Sequence, residues 1–309
     1  MASDRGHEVT IFTRGRTNPG LFPDAEHLIG NRDGDLHALR ARTWDAVVDT
    51  CGYVPRVVRD SVELLADSVD HYTFVSSGSV YAEPMPPGYD ESSPVQRLGD
   101  DRSEDVERNY GALKAACERV VLEAVPGRAL VVRAGLIVGP HDPTGRFTYW
   151  VHRIARGGRV LAPEPRGQAV QFVDVRDLAA WMLDASEQRV AGTMNAVGPE
   201  EPRTMRSLLE GMRAAFGSSS QLVWVDESFL LQRDVNPWSN LPLWLAPGSN
   251  RELETFMTMN AERALASGLR FRPLEETVRD TLTDADPVPE AGLAPDRERA
   301  LLDAWATHG

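Results

Sequence analysis

Short apolar runs alternate with amphipathic helical stretches through the first two-thirds of this chain, and that alternation constrains its fold more than any other feature. The runs are His7 to Thr13 (HEVTIFT), Glu26 to Gly30, Asp45 to Thr50 (DAVVDT), His71 to Ser76 (HYTFVS) and Ala129 to Gly135 (ALVVRAG). Helical periodicity fills the intervals, first over Val54 to Val69. It returns after Asp101 and Ser103, where Val106, Tyr110, Leu113, Cys117, Val120 and Ala124 form one apolar stripe. Strands and helices alternating at this spacing predict βαβ units, a parallel sheet and helices on both faces.

Past Pro140 the pattern loosens. The stretch from Pro143 to Pro165 is rich in Arg, Gly and Pro, with a short helix expected around Tyr149 to Ile154. Val173 to Leu183 (VDVRDLAAWML) reads as a strand end feeding a helix that returns to the sheet. From about Gly192 a smaller, mainly helical lobe is expected, with Trp224, Trp238 and Trp244 and a core segment from Phe229 to Leu245. The implied division is a main domain of residues 1–140 plus 169–191, and a substrate lobe of 141–168 plus 192–309.

Charge and cysteine usage exclude several classes. A net charge of −13 opposes a nucleic-acid or anionic-membrane surface, because affinity for phosphate comes largely from neutralising it. No apolar run approaches the roughly 20 residues of a membrane span, and MASDRGHEVTIF has no signal-peptide core. Cys51 and Cys117 lack metal-ligand spacing and read as reduced thiols, which fits a cytoplasmic protein.

The chemistry is expected on three residues. Of 33 lysines and arginines, Lys114 is the single lysine, so its position calls for a compact ammonium rather than a planar guanidinium. Tyr110 lies one helical turn before it, on the same face. A free phenol, with a pKa near 10, is a poor acid or base at neutral pH, and an adjacent ammonium favours its phenolate. Ser77 ends the preceding strand, at the sheet edge where open α/β folds place their ligand crevice. Its hydroxyl would hold a substrate oxygen while the tyrosine exchanges a proton with it. That trio suits interconversion of an alcohol and a carbonyl.

FVSSGSVY (Phe74 to Tyr81), YGALK (Tyr110 to Lys114), RAGLIVGP (Arg133 to Pro140) and VDVRDLA (Val173 to Ala179) together resemble the core of the extended short-chain dehydrogenases, the NAD-dependent epimerase/dehydratase family. The resemblance runs from about Gly6 to Gly198. It implies a Rossmann-like doubly wound sheet, a nicotinamide dinucleotide, catalytic Ser77, Tyr110 and Lys114, and a ribose contact from Lys114. Tyr53, Ser79 and Leu136 are the expected substrate-facing positions. Thr50, Cys51 and Gly52 would pass beneath the cofactor. The family commonly forms dimers through helices matching 54–69 and 102–124, so a homodimer is implied.

Cofactor preference follows from the loop after HEVTIFT, which carries Arg14 and Arg16 and no acid. Two guanidiniums suit a 2′-phosphate, so NADP is expected over NAD. Asn31 and Arg32 stand where the family usually places an acid near adenine. Leu136 replaces an asparagine that contacts sugar nucleotides in many members, which points to a less polar small-molecule substrate.

One departure is larger. The family begins with a strand and a GxxGxxG loop whose backbone meets the pyrophosphate at a helix N-terminus. Here Ser3 to His7 resembles the end of the helix that should follow, and about twenty residues of a strand-loop-helix unit are missing. The absent strand would lie between those of residues 7–13 and 45–50. Three accounts stay open: a start placed late, a shortened chain, or a genuine loss of dinucleotide binding. In the last, the enzyme would be a cofactor-independent lyase, isomerase or cyclase keeping Tyr110 and Lys114 for proton transfer. A non-catalytic relative that senses NADP or binds RNA is the remaining class; the acidity opposes RNA and the intact trio opposes a sensor.

Overall fold

The computed structural model describes residues 1–18, 20–284, 288 and 291–308. In chain order β1 (Thr10–Thr13) and β2 (Glu26–Ile29) pair in parallel as a two-stranded ladder. Next come β3 (Trp44–Asp49), α1 (Pro55–Leu65), β4 (Val69–Ser77), α2 (Val106–Ala124), β5 (Ala129–Ala134) and the short β6 (Ile137–Val138). Then follow α3 (Arg146–Ala155), β7 (Arg159–Pro163), β8 (Ala169–Asp174), α4 (Val175–Glu187) and β9 (Gly192–Ala196). The main sheet has the order β3-β4-β5-β9, all parallel.

Side-chain alternation on β5 decides where the helices go. Val131 points to the face where Val58 and Val62 of α1 and Cys117 and Val121 of α2 are buried with Tyr72 and Phe74. Leu130 and Val132 point to the other face, against Leu178, Trp181 and Met182 of α4. All six β5 residues are buried, as a central parallel strand requires. The expected doubly wound α/β arrangement is therefore present.

β3 departs from that pattern. Its outer edge carries no ladder among the described residues, and Val48 is 39% exposed. Between β1 and β3 lies an open cleft of about 550 Å³, bordered by Phe12, Leu36, Trp44, Val47, Val48 and Tyr72. The two ladders are separate among the described residues. Ser3–Arg5 is a single 3-10 turn ended by Gly6 in the left-handed region. Arg5 anchors it to α4 through Asp184 (2.5 Å) and Glu187 (3.2 Å).

The rest of the chain adds β10 (Gly198–Thr204), α5 (Met205–Phe216), β11 (Gln221–Val225), α6 (Glu227–Leu231), α7 (Glu262–Ala266), α8 (Leu274–Asp284) and α9 (Pro295–Ala306). The lobe is mainly helical as expected, and it also carries strands: β7 pairs with β11, and β10 pairs with β8, which lies between β10 and β6. Partners so far apart in sequence leave no hairpin signal. One expectation changes here. β9 belongs to the main sheet, beside β5, although the sequence boundary put Gly192 onward in the lobe. Its sequence GTMNA has weak strand propensity, so pairing rather than composition places it.

The lobe core gathers Phe147, Trp150, Leu208, Met212, Phe229 and Trp244. Phe229, Leu241, Leu243 and Trp244 are fully buried, so the segment from Phe229 to Leu245 is core as expected. A buried ion pair joins Arg153 of α3 to Glu298 of α9 at 2.6 Å, and Glu298 also accepts the Leu161 N–H at 3.0 Å. No helix among the described residues is long and apolar enough to cross a membrane. Among them, too, no group of three or more His, Cys, Asp or Glu could hold a metal ion.

Candidate active site

Ser77, Ser79, Tyr110, Leu136 and Tyr53 line one cavity of about 1,050 Å³ at the C-terminal ends of β4 and β5. Ser77 is the last residue of β4 and caps the 3-10 turn Gly78–Val80, its Oγ accepting the Ser79 N–H at 3.1 Å. That bond fixes the hydroxyl at the strand end.

Gly111 sets the distance between the turn and α2. A Cβ there would stand 2.1 Å from the Ser79 carbonyl oxygen, so any side chain would push α2, and Tyr110 with it, off the serine turn. Gln96 braces the same place, its amide donating to the carbonyls of Ser79 (2.9 Å) and Tyr81 (3.1 Å). α2 is irregular at Asn109, immediately before Tyr110. The Tyr110 hydroxyl has no hydrogen-bond partner among the described residues and borders the cavity.

Lys114 is 2% exposed and is not among the residues that line the cavity. Its ammonium donates to the Gly52 carbonyl (2.8 Å) and the Val75 carbonyl (2.6 Å) and sits over the Phe74 ring at 4.4 Å. Burial lowers its pKa from the ordinary lysine value, against smaller opposing contributions led by Cys117 and Asp49. Gly52 also packs tightly, since a Cβ would meet Phe74 at 2.4 Å.

The expected cofactor positions divide. Arg14, Asn31, Arg32, Thr50 and Cys51 border the cleft between β1 and β3. Gly52 faces Lys114, and Arg16 is exposed with no ion pair among the described residues. Arg32 is committed: its guanidinium forks onto the Asp49 carboxylate and also donates to Ser61 at 2.9 Å. Its Nε is buried without a partner. Tyr53 borders both the cleft and the cavity, with its ring centroid 6.4 Å from that of Tyr110. Tyr53 is thus a wall common to the two spaces.

Sequence reasoning missed the buried acids that hold the frame. Glu118, one turn beyond Lys114, accepts from Ser76 (2.5 Å) and Arg133 (2.8 Å), so it ties α2 to β4 and β5. Asp49 accepts from Arg32, Tyr72 (2.9 Å) and the Cys51 N–H (3.3 Å). No local signal marked Glu118, which lies off the apolar stripe of α2. For Asp49 the signal was a carboxylate closing a hydrophobic strand.

A parallel sheet with helices on both faces and a ligand-sized cavity at its strand ends defines a Rossmann-like α/β protein. Residues 56–198 match the sequence profile of the NAD dependent epimerase/dehydratase family. Among solved structures, a putative epimerase from Burkholderia cenocepacia is similar with a TM-score of 0.64 at 18% identity, covering 91% of this chain and 90% of that one. A human epimerase family protein solved with NADPH has a TM-score of 0.58 at 20% identity, covering 91% and 93%. The UDP-N-acetylglucosamine 4-epimerase of Bacillus cereus has a TM-score of 0.60 at 15% identity, covering 92% and 93%. One curated relative, the chloroplast stem-loop binding protein of 41 kDa b from Arabidopsis thaliana, is 26% identical over 200 residues. That match takes in 58% of this chain and only 48% of the relative's length.

Proposed function

We propose that the chain is a nicotinamide-dependent oxidoreductase or epimerase acting on an alcohol or carbonyl carbon of a small, largely apolar metabolite. The observation that carries this reading is the convergence of Ser77, Tyr110 and Tyr53 on one cavity, with Lys114 buried one turn along α2 from Tyr110. Tyr110 exchanges the proton at the substrate oxygen. Ser77 orients that oxygen, and Lys114 supplies the positive charge behind the phenol.

The cleft suits part of a dinucleotide. Its volume is in the range of small-molecule sites, it shares Tyr53 with the cavity, and Arg14 stands on its border. In this reading Arg14 and Arg16 hold a 2′-phosphate, Thr50 to Gly52 line the path, and Lys114 meets the ribose. The bound nicotinamide would supply the hydride acceptor or donor. NADP is favoured over NAD because a pair of guanidiniums matches a phosphate dianion.

Calorimetry with NADPH and NADH on the chain and on an Arg14→Ser/Arg16→Ser variant tests the cofactor. The expected result is tighter NADPH binding in the chain and no preference in the variant. Tyr110→Phe tests the chemistry. It should cut turnover on a carbonyl panel by at least about a hundredfold. Stability should change by less than about 1 kcal/mol, because the lost hydroxyl has no partner. Near-normal turnover in this variant would overturn the mechanism.

The separated β1–β2 and β3–β4–β5–β9 ladders favour one second reading, proton transfer without hydride by a lyase, isomerase or cyclase. A folded chain that binds neither nucleotide, yet loses activity in Tyr110→Phe, would select it.

A further inference from the structure

Two of the lobe's cavity-lining residues have no part in the chemistry above. Arg146, the first residue of α3, borders the same cavity as Ser77 and Tyr110, and its guanidinium carbon lies 4.9 Å from the Trp238 ring centroid. Among the described residues it forms no ion pair and is the one guanidinium on that wall. Asp142 also borders the cavity, but its carboxylate is engaged locally. One oxygen accepts the Thr144 N–H (2.8 Å) and hydroxyl (2.7 Å), and the other accepts the Thr148 hydroxyl (3.5 Å).

The stacking surface is firmly held. Gln168, 6% exposed, donates to the Leu243 carbonyl at 2.7 Å and accepts the Leu245 N–H at 2.8 Å. Trp150 donates to the Pro242 carbonyl at 2.6 Å, and the Trp238 N–H reaches the Trp244 carbonyl at 2.9 Å. Trp238 itself has φ near +65°, a backbone state unusual for a bulky residue that these surrounding bonds sustain. Phe256 meets its ring edge-on at 6.2 Å. A planar cation laid on a fixed indole keeps the edge of its fork available for an acceptor.

The remainder of the wall is mainly apolar, with Leu136, Leu231, Leu253, Phe256, Met257 and Met259. With the Asp142 oxygens taken by Thr144 and Thr148, the one open charge on this mainly apolar wall is the Arg146 guanidinium, which matches one negative charge on an apolar body. It does not match a nucleoside diphosphate, which needs several cationic or N–H donors.

We infer that Arg146 is a specificity-determining residue, and that the substrate is an apolar carbonyl or alcohol compound bearing a single carboxylate, held by the guanidinium stacked on Trp238. This rests on the reading of the cavity as the substrate site, and it adds the substrate's charge and the residue that selects it.

The test compares phenylbutyrate with its neutral amide, phenylbutyramide, by calorimetry and by quenching of Trp238 fluorescence, with Trp238→Phe as the optical control. The acid should bind about tenfold or more tightly than the amide. The ratio should fall as salt rises, shrink in Arg146→Lys and vanish in Arg146→Gln. Equal binding of acid and amide, no acid binding at millimolar concentration, or an unchanged ratio in Arg146→Gln each overturns the inference. If Arg146→Gln fails to fold by circular dichroism, Arg146→Lys and the salt dependence of the unmodified chain decide. Tyr110→Phe should retain the acid preference while losing turnover. Loss of turnover without any acid preference refutes this inference and leaves the enzyme reading standing. An acid preference alongside normal turnover in Tyr110→Phe does the reverse.

Discussion

Replacing Glu118 by glutamine should loosen the frame on which the candidate trio stands. Glu118 and Arg133 side chains are 5% and 8% exposed, and the carboxylate also accepts the Ser76 hydroxyl at 2.5 Å. Glu118→Gln keeps the shape but leaves a buried guanidinium without its counter-charge, which costs about 3–5 kcal/mol. At about 2.1 cal/mol/K per residue, unfolding entropy for this chain is about 0.65 kcal/mol/K, so the expected fall in Tm is about 5–8 °C. Ser76 adjoins Ser77, and Glu118 shares α2 with Tyr110, so the same change should lower kcat about tenfold with a smaller effect on KM. Calorimetric unfolding and initial-rate kinetics read the two effects. The double variant Glu118→Leu/Arg133→Met should lose less stability than the two single variants together, because it removes both charges. A Tm change under about 1.5 °C for Glu118→Gln, equivalent to about 1 kcal/mol, would refute the argument. So would strict additivity in the cycle.

Further outcomes follow from other groups. Burial lowers the Lys114 pKa in the folded chain below the ordinary 10.5, so in the alkaline window beneath 10.5 the unfolded state binds more protons and stability rises with pH. The stability of the unmodified chain relative to Lys114→Met should therefore increase as pH is raised from neutral toward that value, measured by urea unfolding. A flat difference would sink it. Cys117 is buried, and its thiol is pushed up to about 12, whereas Cys51 is exposed on the cleft. A thiol reagent at neutral pH should label Cys51 alone, and Cys117 only on unfolding. NADPH should slow the Cys51 reaction if the cleft holds the dinucleotide, and unchanged kinetics under saturating nucleotide would argue against that placement.

Much of the fold was legible because local periodicity and burial agree. The stripe from Val106 to Ala124 became α2 with the bounds it suggested, and DAVVDT, HYTFVS and ALVVRAG became three neighbouring parallel strands. Tyr110 and Lys114 fell on one helix because four residues make about one turn. Other features left no local trace. The lobe strands β7 and β11 pair across about 60 residues, and no short-range pattern announces a partner so distant.

The sequence by itself determined the α/β class and the chain segment related to the NAD dependent epimerase/dehydratase family. It also marked Ser77, Tyr110 and Lys114, since helical and strand periods, a strand-end serine and a single lysine are properties of the chain read in order. Tertiary structure alone decided that Lys114 faces two carbonyls, that Arg32 is taken by Asp49, that Glu118 clamps three elements, and that Arg146 and Trp238 share a wall with Tyr110. Those are pairings between residues far apart in sequence. They exist only once burial strips water from each polar group and leaves it to find a partner within the fold.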